Sequence, residues 1–334
     1  MRIYRTNFMR TLRHRWPRIK KVLPWLILAV VAALLFYFGR SVDWPQVWES
    51  MRRIPRDSIL MAAGLVVAGY LSYGALDLLG RRYTGHKLGW PTVLGVALVS
   101  YALNLSLGVL VGGLGARLRL YARLGCRKAV ATRVALFSAA SNWIGYAWVA
   151  GAVFVSGALP VPQGWDVGSG VLRLVGAVLL VGAAAYVWMC ARAQRRSATV
   201  MGQRINLPRA RMAILQCVFA GMSWMFMGAV AYVLLQGKAP YLVVLGILLC
   251  SSFAAVLTRV PGGLGTTEAI FVAVLSPGLP YSEVLGAALA YRACYALAPM
   301  CLALAAFPLF EARIAWRKKQ APSNQEHDLL EPRP

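Results

Sequence analysis

The chain has 334 residues, of which 59% are hydrophobic and 14% charged, with mean hydropathy +0.59. A soluble domain carries about a quarter charged residues, so this composition excludes a soluble core and points to apolar segments that cross a bilayer. The net charge of +25 is spread between those segments, where topology and anionic lipid headgroups account for it and nucleic acid does not.

Residues 1–21 hold eight Arg or Lys and no acid, a basic arm expected on the cytoplasmic side. The apolar run 22–39 follows and lacks a small-x-small exit, so it reads as a retained first span. Trp44-Pro45-Gln46-Val47-Trp48 predicts a short helix lying at the outer surface, with Pro45 just inside its start. The second span, 58–80, carries Asp77 near its inner end, and Arg81, Arg82 and Lys87 mark a cytoplasmic loop.

The next apolar stretch, 91–115, leads into 116–133, which holds Arg117, Arg119, Arg123, Arg127, Lys128 and Arg133 and no acid. Both ends are therefore expected on the cytoplasmic side. The stretch reads as a re-entrant hairpin turning near Asn104-Leu105-Ser106-Leu107-Gly108. Two legs of about 10 to 12 residues, at about 1.5 Å rise each, reach roughly the mid-membrane. The alternative is an ordinary crossing helix with an arginine-rich outer loop.

Residues 134–157 cross outward, with Ser138, Ser141, Asn142, Trp143 and Tyr146 at helical spacing, and 170–190 return. The segment 191–211 bears six arginines and no acid; it reads as a cytoplasmic loop containing a turn or short hairpin. Residues 212–235 go out again, and 236–240 form a tight outer turn. The run 241–277 is a second broken element, turning at Pro261-Gly262-Gly263 and opening outward. The last span, 284–310, ends at Arg313, Arg317, Lys318 and Lys319, and a disordered cytoplasmic tail is expected beyond it. The expected fold is an all-α polytopic membrane protein, with about six full spans and two oppositely oriented re-entrant hairpins. Its parts are the arm 1–21, an integral membrane domain 22–310 and the tail 311–334.

Gly-Gly-Leu-Gly occurs in both broken elements, at 112–115 and again at 262–265. With matching flanking spans, this gives repeat halves of about 58–157 and 212–310. Halves of opposite orientation, with broken helices meeting near the midplane, are the pattern by which secondary transporters place a binding site.

Arg259 and Glu268 flank the second turn. They read either as an internal ion pair or as part of a polar cavity in which the backbone of Gly262, Gly263 and Gly265 meets an anion. Arg292 lies inside the last span between Tyr291 and Tyr295, with Glu268 as its natural partner. In the first half, Asn104, Arg117, Arg119, Tyr121 and Asn142 form the corresponding polar group, although Arg119 and Tyr121 also fit a headgroup interface. Asp77 pairs either with Arg117 or Arg119, or with Arg81 or Arg82 at its own helix end. The six cysteines lack ligand spacing and the three histidines lie outside the apolar runs, so no metal or other cofactor is expected. Catalytic triads, phosphate-binding loops and HExxH are absent from the sequence, which disfavours an enzyme.

These motifs carry a resemblance. Val42-Asp43-Trp44, Asn104-Leu105-Ser106 before the first Gly-Gly-Leu-Gly, Arg117-Leu118-Arg119-Leu120-Tyr121 and Asn142-Trp143-Ile144-Gly145-Tyr146 belong to it. So do Pro261-Gly262-Gly263-Leu264-Gly265 with Glu268, and Tyr291-Arg292 with Tyr295 and Pro299. The chain resembles the lysylphosphatidylglycerol synthase transmembrane-region family of the bacterial inner membrane over roughly residues 10–320, and most of all its short stand-alone members. In longer members this region is regarded as a flippase for aminoacylated phospholipid, fused to a soluble synthase that is missing here. The resemblance implies translocation of a phospholipid or lipid phosphate, without aminoacyl transfer. Its alternative is a non-enzymatic membrane partner that presents lipid to a phospholipid synthase or regulates it. A phosphate-bearing membrane lipid and a phospholipid synthase are the partners it suggests.

Overall fold

The computed structural model describes residues 44–160, 168–192, 197–200, 203–258 and 263–306, with backbone only for 109–111, 197–200 and 203–206. Contacts divide the chain into units 1–46 and 47–334. Of the first unit only the opening residues of one helix are described; the other described helices belong to the second. The basic arm, the expected span 22–39, the tail, Arg259 and Gly262 lie outside the described residues.

Local chemistry sets the helix limits. The short helix α1 (Trp44–Arg52) has Pro45 in its first turn, where a missing N–H costs nothing. Helix α2 (Arg56–Thr84) starts after Pro55 and stops at Gly85 in the left-handed conformation. Helix α3 (Trp90–Leu107) ends at Gly108, φ +83°, as the expected turn requires. The chain then doubles back through a π-helical turn, π1 (Val109–Gly115), and helix α4 (Ala116–Arg123). The contacts run antiparallel: Gly112 lies against the Leu103 carbonyl and Gly113 against the Asn104 amide, while Val96 clusters with Leu120 and Tyr121.

This hairpin departs from expectation in two ways. Its first leg has 18 residues, about 27 Å at 1.5 Å per residue, and so is longer than a half-membrane leg. The basic segment 116–133 is not an open loop: its first eight residues continue the second leg as helix. A run of arginines reads as solvated only while no partner is in view, and Arg117 has one in Asp77.

Helix α5 (Lys128–Ser156) is followed by α6 (Ser169–Arg192), a two-stranded antiparallel hairpin of β1 (Ser197–Val200) with β2 (Gln203–Asn206), and α7 (Ala210–Leu234). The second broken element is α8 (Tyr241–Thr258) packed against α9 (Thr266–Leu275). Helix α10 (Tyr281–Arg292) runs into a second π-helical turn, π2 (Ala293–Leu297), and continues helical to Ala306.

The described helices that are long and apolar enough to cross a membrane are α2, α3, α6, α7, α8 and α10 with its continuation. This set differs from the six spans expected. It includes the first legs of both broken elements, and 22–39 falls outside the description. It also omits α5, whose 29 residues suffice in length but whose Ser138, Ser141 and Asn142 lower its apolarity.

Helices α2 and α7 pack along each other at the centre, and several of the remaining contacts fall into matched pairs, although the close packing of α5 on α7 has only a slight counterpart where π2 meets α2. Helix α2 touches α3 and α5 as α7 touches α8 and α10. The α3 leg pairs with π1 and α4 as α8 pairs with α9, and α4 rests on α5 as α9 rests on α10. Helix α6 stands outside this pattern, against α5 and α7. Interhelical glue is largely aromatic side chains donating to helix carbonyls: Tyr146 to Leu249 at 3.1 Å, Trp148 to Cys217 at 2.8 Å and Tyr241 to Met225 at 2.8 Å. In hydrocarbon such donors find no water.

A Cβ built on Gly112 would lie 2.0 Å from the Leu103 carbonyl oxygen, whereas one on Gly64, within α2, meets nothing within 4 Å. Gly112→Ala therefore forces backbone apart and should lower stability by about 1–3 kcal/mol. Gly64→Ala should raise it by about 0.5–1 kcal/mol. Thermal melting of the two purified variants checks the contrast.

Candidate functional site

Two buried ion pairs lie at the second legs of the two hairpins, and a group of tyrosines fills the space between them. The first pair joins α2 to α4. Asp77 is fully buried and accepts from the Ser138 hydroxyl at 2.5 Å and the Tyr121 hydroxyl at 3.5 Å. The Arg117 guanidinium reaches it through one arm, Nη2 to Oδ1 at 3.3 Å. The side chain of Arg117 is 5% exposed and its Nε has no hydrogen-bond partner among the described residues. Of the sequence alternatives for Asp77, the structure takes Arg117; Arg81 instead donates to the Leu88 carbonyl at 2.6 Å.

The second pair joins α10 to α9. Arg292 Nε meets Glu268 Oε1 at 2.6 Å and its Nη2 approaches Oε2 at 3.3 Å, a two-armed contact. The same Nη2 donates to the Gly263 carbonyl at 2.8 Å. Gly263 and Gly265 have φ of +59° and +80°, a region that side chains other than glycine's rarely adopt. The second break thus turns a backbone carbonyl onto a guanidinium, and Glu268, in the first turn of α9, sits where a helix N-terminus favours negative charge.

Between the pairs, Tyr73 stacks on Tyr101 with ring centres 3.7 Å apart and planes 10° apart. Tyr70 meets Tyr101 edge-on at 4.9 Å and Tyr295 at 5.6 Å, and Tyr295 stacks on Tyr291 at 5.7 Å. Arg117 lies over the Tyr73 ring at 5.9 Å, and Tyr291 precedes Arg292 in sequence. The chain of rings therefore runs from the Arg117 guanidinium to the residue that precedes Arg292.

The π2 turn is tied into this layer. A π-helical turn leaves carbonyls out of the regular ladder, and two of them are taken up from other helices. The Tyr70 hydroxyl donates to Tyr295 O at 3.0 Å, and the Ser106 hydroxyl, at the tip of the first hairpin, donates to Ala296 O at 3.3 Å. The tip of the first hairpin thus sits one helical turn from Arg292.

Of the residues singled out from sequence, the structure brings together Gly263, Gly265, Glu268, Tyr291, Arg292 and Tyr295, and separately Arg117 with Tyr121. Asn104 faces the first glycine turn, and its Oδ1 is buried with no hydrogen-bond partner among the described residues. Arg119 points away, exposed on α4. Asn142 is half-buried on α5, where its carbonyl accepts from Trp224 Nε1 at 3.2 Å, and it joins neither pair. Arg259 and Gly262 fall outside the described residues. Sequence reasoning missed Tyr70, Tyr73 and Tyr101. The signal was present as two tyrosines three residues apart in an apolar helix, a spacing that puts both on one face. Among the described residues no three His, Cys, Asp or Glu side chains gather as metal ligands.

Removing one partner of a buried pair leaves the other uncompensated, at roughly 3–5 kcal/mol. Glu268→Gln and Arg292→Gln should each destabilise the protein on that scale. The double variant should lose clearly less than the sum, in a double-mutant cycle read by thermal melting.

A family model described as the Lysylphosphatidylglycerol synthase TM region matches residues 25–303. The chain is 41% identical over 300 residues to the inner membrane protein YbhN of Escherichia coli, covering 90% of this chain and 94% of that protein. It is 27% identical over 324 residues to the uncharacterized protein slr0712 of Synechocystis, covering 93% of this chain and 99% of that protein. With its set of membrane-crossing helices, the chain is a multi-pass inner-membrane protein that belongs to the lysylphosphatidylglycerol synthase transmembrane-region family.

Proposed function

We propose that this protein moves a phospholipid, or another lipid bearing a phosphate, between the two leaflets of the inner membrane. The observation that carries the reading is Arg292, held by Glu268 and by the Gly263 carbonyl at the mouth of a broken helix. A guanidinium placed among membrane helices is costly unless it faces protein or water. Its planar fork also matches a phosphate oxyanion better than a point charge does. In this reading the headgroup meets Arg292 and the nearby glycine backbone, Tyr291 and Tyr295 bound the passage, and the acyl chains stay in the bilayer. No covalent step is part of it.

The same reading takes the two halves as an inverted repeat, with both termini cytoplasmic. Its support is the shared Gly-Gly-Leu-Gly, the matched helix contacts on either side of α2 and α7 and the asymmetric distribution of Lys and Arg. The hairpins then open to opposite sides, and the tyrosine layer forms the barrier between two half-passages.

Flux of a fluorescent phosphatidylglycerol in proteoliposomes tests the function. Arg292→Lys keeps the charge and loses the fork, and should fold while flux falls about tenfold, the equivalent of roughly 1.4 kcal/mol. Wild-type flux in a folded Arg292→Gln protein would remove the headgroup site. Binding to a phospholipid synthase with no flux by the wild type would favour a partner role instead.

Topology has its own measurement. In a cysteine-free background, single cysteines at Lys87, Arg127 and Arg209 should react only with reagent on the cytoplasmic side, and those at Lys238 and Gly278 only from outside. Labelling of Arg127→Cys from outside would exclude the first re-entrant hairpin and the inverted repeat with it.

A further inference from the structure

The two ion pairs are built differently, and the difference points to a second ligand. Glu268 engages Arg292 through two arms. Asp77 engages Arg117 through one arm at 3.3 Å, and hydroxyls of Ser138 and Tyr121 supply its other contacts. Arg117 Nε is left as a buried donor with no partner among the described residues, and so is the Ser100 hydroxyl, whose residue is fully buried. Ser100 lies one turn beyond Val96 on α3, the face that clusters with Leu120 and Tyr121 of α4. The contact between α3 and α4 therefore holds unused donors of the kind an oxyanion accepts from. A buried donor without an acceptor costs roughly 1–3 kcal/mol.

We propose that the Asp77–Arg117 pair is a proton-and-anion exchange site. A phosphate oxyanion, from a lipid headgroup or free in solution, takes Arg117 through its unused Nε and accepts from Ser100. Asp77, losing its counter-charge in a buried setting, takes one proton from hydronium or the acid form of the buffer, whose bond to that proton breaks and whose conjugate base stays in solution. The balance is simple: one anion and one proton enter, no bond other than the new O–H forms, and the local charge stays where it was. By linkage the coupling runs both ways, so protonation of Asp77 frees the guanidinium for the anion.

The groups around Asp77 fit this assignment. On its own helix are Tyr73, under Arg117, and Arg81, which is occupied by the Leu88 carbonyl. Tyr101 of α3 reaches it only through Tyr73, and α4 brings Arg117 and Tyr121. Helix α5 brings the neutral Ser138, and among the described residues Arg117 is the one cation in ion-pair range. The loop after α2 places the His86 ring edge-on to Tyr121 at 5.8 Å, and both His86 nitrogens are buried without partners among the described residues. Burial, with the Arg81 charge adding to it, pushes the His86 imidazole below its usual range.

The consequence for transport, proton-coupled movement of an anionic lipid, rests on the function proposed above; the exchange itself does not. The test uses the purified full-length protein in weak buffer with a pH-sensitive dye. The additions are dihexanoyl phosphatidylglycerol, inorganic phosphate and, as a zwitterionic control, dihexanoyl phosphatidylcholine. Wild type should take up about one proton per anion bound, as expected for one carboxyl group titrating by linkage, and Asp77→Asn should take up none. Phosphatidylcholine should produce no uptake. Inorganic phosphate itself titrates near neutral pH, so uptake with it that exceeds the uptake by Asp77→Asn assigns the site to free anions as well, and uptake with phosphatidylglycerol alone assigns it to the headgroup.

Infrared difference spectra keep the test decisive if Asp77→Asn fails to fold. The anion should raise the C=O stretch of a newly protonated carboxyl in wild type, and Asp77→Glu should shift it. No uptake in wild type, undiminished uptake in folded Asp77→Asn, or a band that Asp77→Glu leaves unmoved would each overturn the exchange site. Proton uptake that persists in a wild type without lipid flux would instead sink the transport reading and leave the exchange site standing.

Discussion

A charge or a freed carbonyl inside hydrocarbon must find its partner within the protein, and the architecture follows from that requirement. This chain breaks its helices at Gly108 and again before Gly265, and opens α10 into the π2 turn. Each break creates backbone polar groups that the helical ladder no longer satisfies. The remedies are specific: Arg292 takes the Gly263 carbonyl, Tyr70 takes that of Tyr295, and Ser106 takes that of Ala296. The same side chains then tie the hairpins to the long helices, so the satisfaction of backbone and the assembly of the bundle are one event.

The tyrosine layer is the economical form of this solution. Each ring supplies apolar area for packing, and its hydroxyl supplies a donor where a carbonyl has been exposed. Tyr70 does both, meeting two rings and one π-turn carbonyl. A layer of leucines would fill the volume but leave those carbonyls orphaned, and a layer of serines would reverse the fault.

Much of this was legible in the residues. The break at Gly108, the short helix from Trp44 and the pairing of Glu268 with Arg292 follow from glycine, proline and charge in apolar surroundings. Arg117 was legible only as one of several alternatives for Asp77, because charges counted along a run of arginines do not say which of them meets a carboxylate forty positions earlier. The meeting of Tyr70 with Tyr295 lay beyond reach for a similar reason. They are 225 positions apart, and an aromatic residue in an apolar helix gives no local sign of what its hydroxyl will meet. The π turns carry no sequence signature of their own; the first is enforced by how closely Gly112 approaches Leu103.

The two pairs place opposite charges on their hairpins: Arg117 on the second leg of the first, Glu268 on the second leg of the other. If the hairpins shift as mirrored partners, one inward while the other moves outward, the positive and negative charges travel in opposite directions. Their currents then add instead of cancelling. The share of these two charges in such a rearrangement is electrogenic, and the membrane voltage biases it by about 2.3 kcal/mol per elementary charge per 100 mV over a full crossing. Two hairpins bearing like charges would move the same distance with no net current, and the resting voltage would have no hold on them.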